Sequence, residues 1–219
     1  MKQFLSTINT FITSILSPPA CAFCYTLLNK QSVLCDVCLN NIDPIVSHTL
    51  SVTSRLEVKV YALSAYKNPL KRLILAKQYG NRAVSKQLGN LIWFQSLISY
   101  ADFDYIVPIP LHWRRYARRG YNQAETMAEE IARLSGKPVA NILRRVKATE
   151  FQAGLNVKAR HENVKEAFAL KVAHHDYKNK KILLVDDLMT TGSTLKQASK
   201  TLLTLKPLSI AACVVCRVV

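Results

Sequence analysis

Two hydrophobic periods alternate along the second half of the chain. Continuous apolar runs at 105–107, 182–185 and 210–215 are typical of strands buried on both faces of a sheet. Each of the first two runs is followed by apolar residues at helical spacing. This spacing begins after Asn122 in the first case and at Ser193 in the second. This strand–helix–strand alternation predicts an α/β fold with a mostly parallel sheet flanked by helices.

The first hundred residues carry less regular patterns. Apolar positions at helical spacing predict an amphipathic helix at 1–17, and interrupting polar residues favour it over the alternative of a signal peptide. The segment 41–56 has no clear period and is expected to be an irregular linker. Alternation predicts a strand at 58–65, and helical spacing predicts helices at 69–77 and 84–99. Uninterrupted apolar runs are too short to predict a membrane span.

Three further segments complete the pattern. Residues 111–120 are expected to form an arginine-rich loop, and residues 139–146 a further strand. Weak periodicity and many polar groups at 148–167 are typical of a mobile excursion. The helix that begins after Asn122 is expected to end at Gly136.

Composition narrows the class of protein. The 219 residues include 30 Lys and Arg against 14 Asp and Glu, which gives a formal net charge of +16. Because 49% of the residues are hydrophobic, the chain can bury a core, and this argues against a disordered protein. The positive excess favours polyanionic partners, namely nucleic acid, phosphorylated small molecules or anionic lipid.

Four of the six cysteines form two C-x₂-C pairs near the start of the chain. These four are Cys21, Cys24, Cys35 and Cys38. Each pair can supply two thiolates to one tetrahedral ion, so the spacing indicates a structural zinc site. Two disulfides are the alternative, which a reducing compartment disfavours. Cys213 and Cys216 lie in an apolar strand and are expected to be buried core thiols, with a redox or metal role as the alternative.

The segment 182–194 carries the most chemical information. Within thirteen residues it holds a buried strand, two carboxylates, a hydroxyl-rich turn and a helix start. The residues after the strand that carry this chemistry are Asp186, Asp187, Met189, Thr190, Thr191, Gly192, Ser193 and Thr194. A helix N-terminus suits a phosphate, and carboxylates accept hydrogen bonds from the hydroxyls of a sugar. An ordinary capped turn is the alternative.

This segment resembles the 5-phosphoribosyl-1-pyrophosphate (PRPP) signature of type I phosphoribosyltransferases. The resemblance implies that residues 190–194 hold the 5-phosphate and that Asp186 and Asp187 contact the ribose hydroxyls, in a catalytic role. It implies Mg²⁺ bound with PRPP. It also implies that a loop with Leu111 and His112 contacts the pyrophosphate through backbone N–H groups.

A second stretch resembles the flexible loop of the glutamine-dependent amidophosphoribosyltransferase. It includes Gln152, Arg160 and Asn163, which the resemblance places in a loop that closes over the reacting centre. A plain surface loop is the alternative.

Basic residues are interleaved with aromatic residues in two places, a pattern that suits single-stranded nucleic acid. The candidate contacts are Arg114, Arg115, Arg118, Arg119, Lys67, Lys71, Arg72 and Lys77. Trp113, Tyr116 and Tyr66 lie among them. A solvated basic face is the competing interpretation, and for the arginines pyrophosphate contact is another.

Together with the cysteine pairs, the motifs at 107–112, 119–123 and 152–155 resemble the ComF family of competence-associated proteins. The resemblance implies a bacterial cytoplasmic protein that handles incoming single-stranded DNA during natural transformation, with a competence-machinery protein such as a DNA translocase as a partner. Residues 1–45 are expected to form the helix and zinc module, and residues 46–219 the phosphoribosyltransferase-like domain. Within that domain, 46–100 form a hood and 101–219 the PRPP-binding core.

Three functions remain open on the sequence. The protein binds PRPP and handles DNA, or it is an active phosphoribosyltransferase on an unidentified acceptor in nucleotide metabolism, or it is a nucleic-acid module with a vestigial PRPP fold. The second lacks an evident acceptor site, and the intact carboxylates and phosphate loop argue against the third.

Overall fold

A computed structural model describes residues 20–28, 32–43, 47–54, 56–75, 82–146, 167–171 and 176–218. Several predictions lie outside the described residues. They concern the helix at 1–17, Lys77, and the loop with Gln152, Arg160 and Asn163.

In the described part of the chain the strands are β1 (His48–Thr53), β2 (Leu56–Ala65), β3 (Tyr105–Pro108), β4 (Leu143–Arg145), β5 (Phe168–Leu170), β6 (Lys181–Met189) and β7 (Ser209–Arg217). Five of them form one sheet in the order β1-β2-β7-β6-β3. All neighbours in it are parallel except β1, which pairs antiparallel with β2. The predicted mostly parallel sheet is confirmed, and β4 and β5 form a separate antiparallel pair.

The α-helices of the same residues are α1 (Asp36–Asn40), α2 (Leu70–Leu75), α3 (Arg82–Gln95), α4 (Trp113–Arg119), α5 (Gln123–Ser135) and α6 (Ser193–Leu202). Short 3₁₀ segments follow at Leu97–Tyr100 and Leu203–Leu205. Two apolar cores cover the two faces of the sheet. One contains α2, α3, α5 and the cysteine-rich segment, and the other contains β1, α6 and the β4–β5 pair.

Two expectations were wrong. The linker expected at 41–56 contains β1, whose Leu50 and Val52 are buried while the residues between and beside them are exposed or half-buried. The arginine-rich loop expected at 111–120 is largely helix α4. None of the α4 residues is buried, so α4 has no apolar stripe that a periodicity argument could detect.

Candidate functional site

Four parallel strands end on the same edge of the sheet, and we call this the ligand edge. Ala65 at the end of β2 pairs with Arg217 of β7, and Leu188 of β6 pairs with Cys216. Pro108 at the end of β3 pairs with Val185. Because ligands of open α/β sheets bind outside the carboxyl ends of the strands, this edge is the candidate site.

The loop after β6 forms a cleft at the ligand edge. The cleft is open to solvent, and its lining consists of Asp186, Leu188, Met189, Thr190, Thr191, Gly192, Ser193, Thr194 and Leu195. Gly192 has φ 73° at the N-cap position of α6, a backbone conformation that favours glycine. The hydroxyls of Thr191 and Ser193 lie 2.8 Å apart. The predicted phosphate-loop residues are therefore brought together in one hydroxyl-rich cleft at a helix N-terminus.

The two adjacent carboxylates lie inside β6, which continues to Met189, four residues beyond the predicted strand. Because successive strand residues point to opposite faces of the sheet, the side chains of Asp186 and Asp187 leave β6 in different directions. The Asp187 N–H donates to Oδ1 of Asp186 at 2.9 Å. Burial, and next the charge of Asp187, raise the pKa of Asp186 well above its ordinary value. An ionised Asp186 is therefore costly until a ligand or a cation compensates its charge.

The loop after β3 is fixed from two sides. The Ile109 N–H donates to the Val185 carbonyl at 2.9 Å, and Nδ2 of Asn122 donates to the Ile109 carbonyl at 3.0 Å. Oδ1 of Asn122 also caps α5 by accepting from the Ala124 N–H at 3.2 Å. The predicted helix start at Asn122 is confirmed, and this residue also holds the loop that leads to Leu111 and His112.

His112 begins α4 as its N-cap. Its Nδ1 accepts from the Arg114 N–H at 3.4 Å, and the residue is buried. Burial lowers the pKa of His112, and the charges of Arg114, Arg145 and Arg115 lower it further. The imidazole is therefore neutral at pH 7, and it orients the backbone here rather than supplying positive charge.

The four predicted arginines of α4 divide into two groups by exposure. Arg115 and Arg119 are half-buried, whereas Arg114 and Arg118 are exposed. Burial, and then the charges of Arg119 and Arg118, lower the pKa of Arg115, while Asp187 opposes that shift. Arg115 therefore contributes positive charge near the carboxylates, and the exposed pair faces solvent.

Two residues of the ligand edge were not predicted there from the sequence, and one of them, Tyr66, was named only among the candidates for nucleic-acid contact. Arg145 of β4 lies with its guanidinium 5.4 Å from the Phe168 ring centroid, and its charge opposes the raised pKa of Asp186. Tyr66 directly follows β2, and its N–H donates to the Arg217 carbonyl at 2.8 Å. Both residues reach the edge by tertiary packing, so only their positions at strand ends could have signalled them.

The four N-terminal cysteines form a cluster that can hold a metal ion. Their sulfur atoms all lie within 4.8 Å of one another, and Sγ of Cys24 and Sγ of Cys35 are 3.6 Å apart. Tetrahedral zinc with thiolate bonds of 2.3 Å requires sulfur separations of about 3.8 Å. The described geometry and the all-thiol donor set therefore fit one closed, structural zinc site.

The pKa values of two of these thiols shift in opposite directions. The Thr26 hydroxyl, the Thr26 backbone and neighbouring groups lower the pKa of Cys24 to about 6, whereas burial and the other sulfurs raise the pKa of Cys38. A metal ion compensates the charge of four clustered thiolates. Cys213 and Cys216 are fully buried free thiols in β7, as predicted for core residues.

Comparison with known proteins agrees with this architecture. The model of the family described as phosphoribosyl transferase domain matches residues 117–218. Competence protein F of Haemophilus influenzae is 32% identical over 195 residues, which cover 86% of this chain and 80% of the relative. DNA utilization protein YhgH of Escherichia coli K12 is 29% identical over 152 residues, which cover 66% of each chain.

Two further matches cover smaller parts of this chain. Competence protein ComFC of Bacillus subtilis is 34% identical over 110 residues, 48% of this chain and 40% of the relative. Among solved structures, a purine phosphoribosyltransferase from Pyrococcus horikoshii matches with a TM-score of 0.33 and 20% identity, covering 59% of this chain and 67% of the other.

The parallel sheet, the cleft after β6 and the matched domain define a type I phosphoribosyltransferase-like protein with a cysteine cluster at its N-terminal side. The chain belongs to the ComF family, as the sequence motifs predicted, and is a competence-related member of that class. Among the described residues, none of the helices has the length and apolar character needed to span a membrane.

Proposed function

We propose that this ComF-family protein binds PRPP with Mg²⁺ at the ligand edge and handles incoming single-stranded DNA during natural transformation. The observation that carries the proposal is the cleft that joins Asp186 to the hydroxyl-rich loop at the N-terminus of α6. A phosphate fits the loop because helix N-termini offer N–H donors and positive dipole charge. A sugar attached to that phosphate then lies against the carboxylates.

The residues of the edge take three roles toward PRPP. Residues 190–194 receive the 5-phosphate, Asp186 and Asp187 accept from the ribose hydroxyls, and the backbone at Leu111 and His112 faces the pyrophosphate. Mg²⁺ supplies charge neutralisation of the pyrophosphate, and it binds mainly through phosphates and waters. Arg115 and Arg145 add fixed positive charge near the carboxylates.

The ligand assignment is tested by thermal shift with three Mg²⁺-containing ligands. At equal concentrations, ligands that bind only the folded state raise the melting temperature more the more tightly they bind. PRPP is expected to give a larger rise than ribose 5-phosphate or pyrophosphate alone, because it spans all three groups of contacts. Equal rises with pyrophosphate and PRPP would contradict a role for the phosphate loop and the carboxylates.

DNA handling is supported by the exposed side of α4. Arg114 and Arg118 are exposed there, beside Trp113 and Tyr116, which are 66% and 48% exposed. The Arg114 guanidinium lies 5.4 Å from the Trp113 ring centroid. Aromatic platforms among cations suit the bases and phosphates of a single strand.

The DNA surface is tested by the salt dependence of single-strand binding. Removing Arg114 and Arg118 together by alanine substitution is expected to reduce the slope of log K against log salt by about 1.4, since each contact to a single strand contributes about 0.7. Lys178 and Lys180 are exposed at the opposite edge of the sheet, so their double alanine variant is the matched control. An unchanged slope in the α4 variant would contradict this surface.

The cysteine cluster supports two further parts of the proposal. We assign it structural Zn²⁺, with Cys21, Cys24, Cys35 and Cys38 as ligands. None of the six cysteines, all of which lie in the described part of the chain, forms a disulfide; a reducing compartment keeps cysteines in this state, so we place the protein in the cytoplasm. A competence-machinery protein such as a DNA translocase is the proposed protein partner, in keeping with the names of the relatives.

A second candidate is transfer of the phosphoribosyl group to an unidentified acceptor. Arg115 and Arg145 favour it, because positive charge beside the carboxylates would stabilise a departing pyrophosphate. Pyrophosphate release is measured from PRPP across a panel of bases. Release with one base identifies an enzyme, and no release with any base leaves PRPP as a bound, non-reacting ligand.

A further inference from the structure

Consecutive residues of α2 contact two different parts of the protein. Arg72 reaches the cysteine-rich loop: its Nη1 donates to the Phe23 carbonyl at 3.1 Å, and its Nη2 donates to the Tyr25 hydroxyl. The Arg72 guanidinium also lies 4.9 Å from the Tyr25 ring centroid and 5.8 Å from that of Phe23. Phe23 and Tyr25 flank Cys24, so Arg72 binds both neighbours of a member of the cysteine cluster, Phe23 through its backbone carbonyl and Tyr25 through its side chain.

The segment Phe23–Tyr25, which Arg72 contacts, has an unusual backbone conformation. Tyr25 has φ 65°, in the left-handed region that a non-glycine residue rarely adopts. The Tyr25 N–H donates to the Cys21 carbonyl at 2.9 Å, so the same turn joins Tyr25 to a second cysteine of the cluster. Two restraints therefore hold the turn, the sulfur cluster on one side and Arg72 on the other.

The preceding residue of α2 contacts the ligand edge. Nζ of Lys71 lies 5.6 Å from the Tyr66 ring centroid. Tyr66 follows β2 and is tied to the end of β7 through its bond to the Arg217 carbonyl. Burial, and then the charges of Cys216 and Asp187, raise the pKa of Tyr66, so its hydroxyl shares an electrostatic environment with Asp187.

We propose that Arg72 is a positioning residue that couples the four-cysteine site to the ligand edge through α2. The proposal rests on the proposed function of that edge in binding PRPP. A helix of six residues is not stable by itself, so its contacts at both sides set its position. With the cysteine site loaded, the Phe23–Tyr25 turn holds Arg72, and α2 holds Lys71 and Tyr66 beside Asp187. Arg72, a candidate for nucleic-acid contact by sequence, is thus engaged within the protein.

The test is a cycle of PRPP dissociation constants, measured by calorimetry with zinc-loaded and zinc-stripped protein. In the wild type, stripping is expected to weaken PRPP binding about fivefold, which corresponds to about 1 kcal/mol of coupling. With zinc bound, Arg72→Ala is expected to bind PRPP more weakly than the wild type by about the same factor. Stripping the zinc from this variant should weaken PRPP binding no further. Arg72→Lys should behave like Arg72→Ala, because lysine keeps the charge but lacks the planar fork.

The matched control is Lys200→Ala, which removes an exposed positive charge from α6 on the other face of the sheet. It should retain the full zinc dependence of the wild type. The inference is overturned if stripping leaves wild-type PRPP affinity unchanged, or if Arg72→Ala keeps the whole zinc effect. Absence of PRPP binding by zinc-loaded wild type would instead overturn the proposed function.

A reciprocal measurement covers the case in which the stripped protein unfolds. Coupling between two sites is mutual, so saturating PRPP should tighten equilibrium zinc affinity by the same factor in a chelator competition. Arg72→Ala should abolish this tightening, and Tyr25→Phe, which removes only the hydroxyl acceptor of Arg72, should reduce it. Zinc affinity of the wild type that does not respond to PRPP would overturn the coupling.

Discussion

Leu50 of β1 packs directly against Gly192 of the phosphate loop: a Cβ built on Gly192 would lie 2.6 Å from Cδ1 of Leu50. The contact joins the strand that sequence reasoning missed to the loop that it identified. It also explains why this loop position requires glycine, since φ is 73° and no space is left for a side chain.

Gly192→Ala is therefore expected to lower the free energy of unfolding by about 2 kcal/mol, through backbone strain and the clash with Leu50. Urea denaturation measures this change. Gly136→Ala is the matched control, because Gly136 also has positive φ, 71°, but its added Cβ would meet nothing within 4 Å. The control should lose only about 1 kcal/mol. Equal losses in the two variants would show that Leu50 does not restrict the loop.

Asp186→Asn is expected to stabilise the unliganded protein by about 1 kcal/mol at pH 7. The folded-state pKa of Asp186 is raised, mainly by burial, so its ionised form opposes folding. This cost is absent below the ordinary pKa of aspartate, grows as pH rises from that value to the raised folded-state pKa, and is constant above it. Melting temperatures from pH 4 to pH 8 measure the effect. A gain that is independent of pH, or a loss at pH 7, would contradict it.

Asn122→Ala is expected to cost about 2 kcal/mol of stability, because it removes both the cap of α5 and the bond to the Ile109 carbonyl. Asn122→Ser keeps a capping oxygen but no amide donor, and should lose about half as much. Chemical denaturation of both variants separates the two bonds. Wild-type stability in Asn122→Ala would mean that neither bond holds the loop after β3.

Metal analysis is expected to give one zinc per chain. Cys24→Ser should lose that zinc and melt at lower temperature, because the cysteine-rich segment is too small to stay folded without it. Cys213→Ala is the matched control: its thiol is fully buried in β7, so the variant should keep zinc while losing some core packing. Full zinc occupancy in Cys24→Ser would contradict the four-thiolate site.

Parts of this structure that follow from local pattern were predictable from sequence. The strands at 105–107, 182–185 and 210–215 are continuously apolar because both faces are buried, and each occurs in the structure. The helix start at Asn122 follows from its capping side chain. The cysteine cluster follows from the spacing of thiols that can reach one ion.

Other parts depend on tertiary packing and have weak local signals. β1 buries only Leu50 and Val52, too few for a clear period. Helix α4 is bounded by the His112 cap and by Gly120, whose φ is 77°, and it buries none of its residues. Tyr66 and Arg145 lie far from Asp186 in sequence and reach its edge only when the strands assemble.

The central claim is that the ligand edge binds PRPP through its two carboxylates and the loop after them. Calorimetric titration of Mg²⁺–PRPP into the wild type and the Asp186→Asn/Asp187→Asn double variant tests it most directly. We predict one PRPP per wild-type chain and at least about tenfold weaker binding to the variant, since a hydrogen bond to a charged group contributes about 1.5 kcal/mol or more. Absence of binding to the wild type, or equal affinity in the folded variant, would contradict the account.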